Sequence, residues 1–362
     1  MCSELVFEFL KSRDYNPKKL MPKILSMHQF NLRSSFGLFG FLLFFLVSAH
    51  FHAQVPKNEI GVNPQGLKWK QIDTEKVQVV FPEGQEGDAQ RVADIVSYLW
   101  DYEGQDIGQL RSKISIFLHG HRVNSNGLVT VGPFRSEFYQ TSPQMANSTS
   151  YLDLLTIHEY RHGQQFANAT QGITKVVKST LGSFAWGGMM ALALPRWYFE
   201  GDAVVAETEH SATGRGRLPS FLMQYNALIE AGEDYNYEKA AGGSYKDFVP
   251  NWYPLGYHMM TYGKEKYGDD LWINVVDDAV RYKGLFTPFS RSLKKRTGLN
   301  TTKLYNETFA ALAQKFNEKR GPWTSYKSPL LEKESTVVNY SSPLYFGNSI
   351  IASRAAYDEI PA

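Results

Sequence analysis

Two periodicities divide this chain. Up to about residue 150, short apolar runs stand between turn residues; beyond it, apolar positions recur every three or four. In the first stretch, residues 68–72 and 77–82 read as strands with a turn between them. Ala89, Val92, Ala93, Val96 and Leu99 recur at helical spacing and predict a helix over 86–102. Residues 113–118 and 127–133 read as further strands, the second preceded by the turn-prone Asn124-Ser125-Asn126. Helices then follow over 151–166, 197–209, 219–231, 254–267, 271–282 and 303–320. Strands grouped ahead of helices argue an α+β fold rather than an alternating parallel one. Near the end the texture changes again, with short strand-like runs at 335–340 and 344–352.

One apolar run precedes all of this. Residues 35–49 are free of charge, follow Arg33, and are short for a spanning helix, which needs about 20 residues. Small residues at Val47-Ser48-Ala49 and His52-Ala53-Gln54 complete the pattern of a signal peptide. The expectation is a secreted or periplasmic protein whose residues 1–53 are an N-terminal extension and signal peptide. An N-terminal membrane anchor is the alternative, and Met21 or Met27 could be the true start.

Composition narrows the chemistry. The 362 residues are 43% hydrophobic, which excludes wholesale disorder, and a net charge of +2 gives no footprint for nucleic acid. Cys2 is the one cysteine, so a metal site here must use His, Asp or Glu. His158-Glu159-Tyr160-Arg161-His162 offers such a site. Two histidines four apart on a helix point the same way and can reach one Zn²⁺. Glu159, rotated by roughly 100°, is placed to hold an attacking water as a general base. The apolar flank Leu152, Leu154, Leu155 and Ile157 buries that helix, and buried imidazoles need partners. A catalytic metal wants a third protein ligand. Glu200 supplies it from the next helix, where Gly201 and Ala203 permit close approach. Glu207, two turns on, could accept a hydrogen bond from a ligand histidine. Asp202 and Glu209 are the competing acids, read as a solvated face.

The segments His158-Glu159-x-x-His162 and Trp197-Tyr198-Phe199-Glu200-Gly201-Asp202-Ala203 together resemble the gluzincin metallopeptidases, the clan of thermolysin and aminopeptidase N. The resemblance implies Glu200 as third zinc ligand, Glu207 as the outer carboxylate, and a thermolysin-like catalytic domain with a strand-rich N-terminal and a helical C-terminal part. The 37 residues between His162 and Glu200 are about twice what many members have. Residues 65–330 also resemble secreted bacterial proteins in which a peptidase-MA-like domain precedes a TolB-like β-propeller. Boundaries on that reading are 1–53, 54–150 (strand-rich), 151–321 (helical, zinc-binding) and 322–362, the start of an incomplete propeller-like region, so that the chain reads as part of a longer one. The edge strand that would hold a substrate is assigned to residues 125–130. The oxyanion-stabilising residue of the family comes from a downstream helix, which implies Tyr257, with His258 beside it.

The expected function is secreted zinc-dependent peptide hydrolysis, with a peptide or protein substrate. Alternatives are a binding or scaffold protein with a vestigial zinc site, and a zinc hydrolase acting on a non-peptide amide. Residues 179–194, uncharged, read as a buried helix or helical hairpin flanking the site. The alternative for them is an exposed apolar cap that lines the cleft or touches a membrane. His119 and His121 read as a loop pair rather than a second metal site, and His210 as an exposed neighbour of Glu209.

Overall fold

The computed structural model describes residues 63–102, 107–143, 150–284, 286–319, 321 and 334–359. The signal-peptide assignment of residues 1–53 lies outside them, as do 322–333 of the last proposed region. Strands β1 (Trp69–Asp73), β2 (Val77–Pro82), β3 (Ile114–His119), β4 (Ser125–Val131) and β5 (Phe134–Gln140) form one sheet in the order β1-β2-β3-β5-β4. The β2–β3 and β3–β5 pairs are parallel, and the outer pairs antiparallel. Helix α1 (Glu86–Tyr102) makes the crossover from β2 to β3. Alternation explains the packing: Val77, Val79, Phe81, Ile114, Ile116, Leu118 and Phe138 point to one face, where they meet Ala89, Val92, Val96 and Leu99 of α1.

Nine helices follow among the described residues: α2 (Tyr151–Asn168), α3 (Gly172–Ala193), α4 (Arg196–His210), α5 (Pro219–Ala231), α6 (Tyr237–Gly242), α7 (Trp252–Tyr267), α8 (Leu271–Val280), α9 (Pro288–Thr297) and α10 (Thr301–Lys319). The architecture is therefore α+β. Leu155, Ile157 and Tyr160 of α2 enter the core under the sheet. Trp197, Tyr198 and Val205 of α4 join a second core with Leu255, Met259, Trp272 and Phe289. Helices α4 and α7 cross with their backbones in contact. A Cβ at Gly256 would lie 1.9 Å from the Trp197 carbonyl oxygen, and one at Gly201 2.2 Å from the Gly256 carbonyl carbon. Both positions must be glycine for so close a crossing.

Several elements differ from the sequence expectation, each for a local reason. Strand β5 was not anticipated, because Arg135 and Glu137 break its apolar run; they lie on the face away from the helices, beside buried Ser136 and Phe138. Helix α9 buries a stripe of only two large apolar residues, Phe289 and Leu293, in a polar segment; Pro288 starts it and Gly298, at φ 80°, ends it. Residues 338–356 form a single hairpin of β6 (Val338–Phe346) and β7 (Ser349–Ala356). Its turn is Gly347-Asn348; the Ser341–Pro343 stretch that reads as a break is absorbed as a register shift inside β6. Helix α3 is only partly the buried helix expected of residues 179–194. Trp186, Met190 and Ala193 are buried, while Leu181, Phe184 and Leu192 are exposed.

Candidate metal centre

Helices α2 and α4 bring His158, His162 and Glu200 together. The Nε2 atoms of the two histidines are 3.2 Å apart. Glu200 Oε2 stands 3.4 Å from Nε2 of His158 and 3.6 Å from that of His162. A tetrahedral first-row metal ion with arms of about 2.0–2.1 Å sets its ligand atoms about 3.3–3.4 Å apart. The triangle has nearly those edges, so the three groups could hold a metal ion between them.

Outer contacts fix which nitrogens face inward. Nδ1 of His158 lies 2.7 Å from Glu207 Oε1, a carboxylate that can only accept, so this nitrogen carries the proton. Nδ1 of His162 lies 2.8 Å from Gln165 Oε1. The amide of Gln165 is oriented by donating from Nε2 to Asp202 Oδ2 at 2.7 Å and to the Phe199 carbonyl at 3.0 Å. Both Nε2 atoms thus turn towards one another and towards Glu200 Oε2. Two acceptors at that distance repel unless a cation or proton lies between them, and Glu200 Oε2 is itself buried without a hydrogen-bond partner. Donor chemistry and geometry both fit a divalent ion.

Arg215, on a single 3₁₀ turn (Arg215–Arg217) after α4, closes the outer ring. The turn folds back tightly, since a Cβ at Gly214 would lie 2.3 Å from the Glu207 carbonyl oxygen. The guanidinium donates to both Glu207 oxygens, with Nε 2.9 Å from Oε2. Its Nη2 also lies 2.9 Å from His158 Nδ1. A guanidinium cannot accept, so the ring proton there belongs to the Glu207 contact. Burial alone would push the Glu207 carboxyl up, but Arg215 and His158 outweigh it and hold the group at about 2. Glu207 stays ionised and keeps His158 in one tautomer.

Electrostatics divides the two inner carboxylates. Burial would raise Glu200, but the facing imidazoles hold it well below the ordinary range. Reciprocally, burial would lower His162, and Glu200 carries it instead up to about 9. Glu159 is raised: burial dominates and the Glu200 charge adds to it, against the two imidazoles. Its Oε2 is buried with no partner. Its Oε1 faces the sheet edge, where a Cβ at Gly127 would come within 2.6 Å. Gly127, on the outermost strand β4, pairs with Phe138 of β5, so residues 125–130 form a sheet edge that runs past Glu159.

Tyr257 is placed otherwise than expected. Its hydroxyl reaches the Gly216 carbonyl at 3.4 Å and its ring packs on Phe221. Tyr253, one turn earlier on α7, is the tyrosine beside the triad. Its ring lies 6.0 Å from that of His158, under the Arg215 guanidinium. Burial and the charge of Glu200 push its phenol up. The sequence expectation began α7 at Pro254 and so left Tyr253 in a loop. The helix starts at Trp252, capped by Asn251 Oδ1 accepting from the Tyr253 amide at 3.1 Å. An Asn two residues before the tyrosine was the available signal.

The competing acids separate. Asp202 is not on a solvated face: it is buried and accepts two hydrogen bonds from Arg161, at 2.7 and 2.9 Å. Glu209 is exposed and pairs with Lys264. His119 holds Glu137 through Nε2, and His121 contacts Asn63, so the loop pair has partners of its own. His210 packs edge-on against Tyr98. No family model matches this chain, and no curated protein matches it.

Proposed function

We propose that the protein is a zinc-dependent peptide hydrolase with a thermolysin-like catalytic domain of gluzincin type. The observation that carries this reading is the convergence of His158 Nε2, His162 Nε2 and Glu200 Oε2 beside the unpaired Glu159 Oε2. His158, His162 and Glu200 would hold the ion, with Glu207 and Gln165 orienting the imidazoles. When bound, zinc supplies polarisation of the scissile carbonyl and acidification of a water.

The chain's own residues do the rest. Strand β4 offers its open edge to an extended peptide, which adds as a further strand and lays its backbone past Glu159. Glu159, its proton affinity raised by burial, accepts the proton of the attacking water at Oε2 as a carboxylate and later delivers it to the leaving amine. The vacancy of a side chain at Gly127 lets substrate backbone and Glu159 approach. Tyr253, protonated across the physiological range, donates its hydroxyl to the oxygen that gains charge. A non-peptide amide would meet the same groups but would not use the strand edge.

The test is Glu159→Gln. It should bind about one zinc per chain, as the wild type does, and lose hydrolysis of a peptide library. Hydrolysis by that variant at the wild-type rate would sink the mechanism. A chain that takes up no zinc would sink the metal assignment.

A further inference from the structure

Helix α3, between the two halves of the proposed metal site, exposes apolar surface that the fold does not use. It bends at Gly182, whose φ of 84° and ψ of 177° interrupt the helix and divide it into two segments. Leu181 and Phe184 flank the bend and are 69% and 66% exposed; Ile173 and Val176 extend the apolar surface along the first segment. The second segment is seated in the helical core through Trp186 and Met190. The bend is therefore presented by a firmly packed base.

The charges that α3 itself carries have one sign. Residues 160–199 contain no Asp or Glu but include Lys175 and Lys178. Lys178 sits over the Trp186 ring at 4.4 Å, and its pKa is lowered by burial alone, with no carboxylate contributing. It lines a shallow recess with Leu110 and Arg111. The Arg111 guanidinium donates to the main-chain carbonyls of Trp100 and Gly108. An exposed apolar bend on a helix whose only charged residues are Lys175 and Lys178 matches an anionic bilayer surface, where side chains enter the acyl boundary and lysines meet phosphates. No described helix is long and apolar enough to cross a membrane, so contact would be superficial.

We infer that the bend of α3, through Leu181 and Phe184 with Lys175 and Lys178 on the same helix, docks on an anionic phospholipid surface. This goes beyond the hydrolase reading and does not depend on it.

The test uses the full chain with Cys2→Ser and a single reporter cysteine at Phe184→Cys, carrying a polarity-sensitive fluorophore. A matching label at Met223→Cys, 61% exposed on α5, is the control. With phosphatidylglycerol vesicles the 184 label should shift to the blue and lose emission to brominated acyl chains, while the 223 label should not. Leu181→Cys should repeat the result and guards against local misfolding at 184. Solvent-like emission at both bend positions overturns the inference, as does an equal response with phosphatidylcholine. A blue shift without vesicles that grows with protein concentration assigns the surface to a second copy and overturns it too. A response at 184 to added protein substrate but not to lipid does the same.

Discussion

Adding one methyl group at Gly256 pits two effects of opposite sign against each other. In a helix interior, alanine is worth about 1 kcal/mol over glycine. Gly256 lies within α7 at ordinary helical dihedrals, so Gly256→Ala would gain that much in isolation. The new Cβ, however, would lie 1.9 Å from the Trp197 carbonyl oxygen and 2.7 Å from Gly201 Cα, where ordinary contact begins at 3.4 Å. Neither neighbour is a side chain that can swing away. The helices must separate by about 1.5 Å, and gaps of 0.5–1 Å already forfeit a quarter to a half of each packing contact. The contacts at risk include Trp197, Tyr198, Leu255 and Met259, all nearly inaccessible. Overpacking costs of about 1–3 kcal/mol, and sometimes more, are usual where only side chains must yield. With backbone against backbone, the net expectation is a loss of about 2–4 kcal/mol after the helix gain is subtracted. Urea unfolding reads this as a midpoint lowered by about 1 M with little change in slope. Because α4 carries Glu200 and α7 carries Tyr253, zinc affinity and peptide hydrolysis should fall with it. A variant whose midpoint equals or exceeds the wild type would refute the reasoning, since propensity alone would then have decided the outcome.

Tyr253→Phe should cut peptide hydrolysis by about 10²–10³-fold with zinc content unchanged, while Tyr257→Phe should stay close to wild type; kcat on one peptide decides, and the reverse order would return the role to Tyr257. Asp202→Ala removes the two-point carboxylate partner of Arg161, which is only 1% exposed, and should destabilise by about 3–5 kcal/mol by urea titration, whereas the double change Arg161→Met with Asp202→Leu should recover much of that. His258 is buried with Nε2 unpartnered, and burial depresses it to about 4. An unfolded histidine titrates near 6.5, so between these values the unfolded chain binds the extra proton and stability falls as pH falls. That contribution is at most about 3 kcal/mol, and the wild type should lose more stability than His258→Leu between pH 7 and pH 4.5; parallel losses would show that the group is not buried neutral.

Legibility in the sequence followed how local the cause was. Helix α2 and its pair of histidines were readable because the apolar stripe and the i, i+4 spacing lie within one segment. Glu200 and Glu207 were readable because a carboxylate two turns from another returns to the same helical face. The partners that complete the centre come from distant positions whose local patterns are silent. Arg215 belongs to a glycine-flanked turn with no periodicity, and Tyr253 stands ahead of a proline that reads as a helix start. Gln165 carries no local signal of its role, yet it is 2% exposed and links His162 to Asp202. Strand β5 was hidden by charges on one face. In α3 the absence of charge was read as burial, whereas half of that apolar surface faces outward.

The two helices of the proposed metal centre each serve both cores. Helix α2 sends Leu155, Ile157 and Tyr160 under the sheet and Phe166 towards the helical side. Helix α4 sends Ala206 under the sheet and Trp197, Tyr198 and Val205 into the helical side. Neither core can loosen by itself without dragging one of these helices, so partial opening that spares the metal site is disfavoured. Amide hydrogens along α2 should accordingly exchange with solvent only through opening of the whole domain. The proposed centre sits where the cooperative unit is least divisible, and its integrity reports on the folded state as a whole.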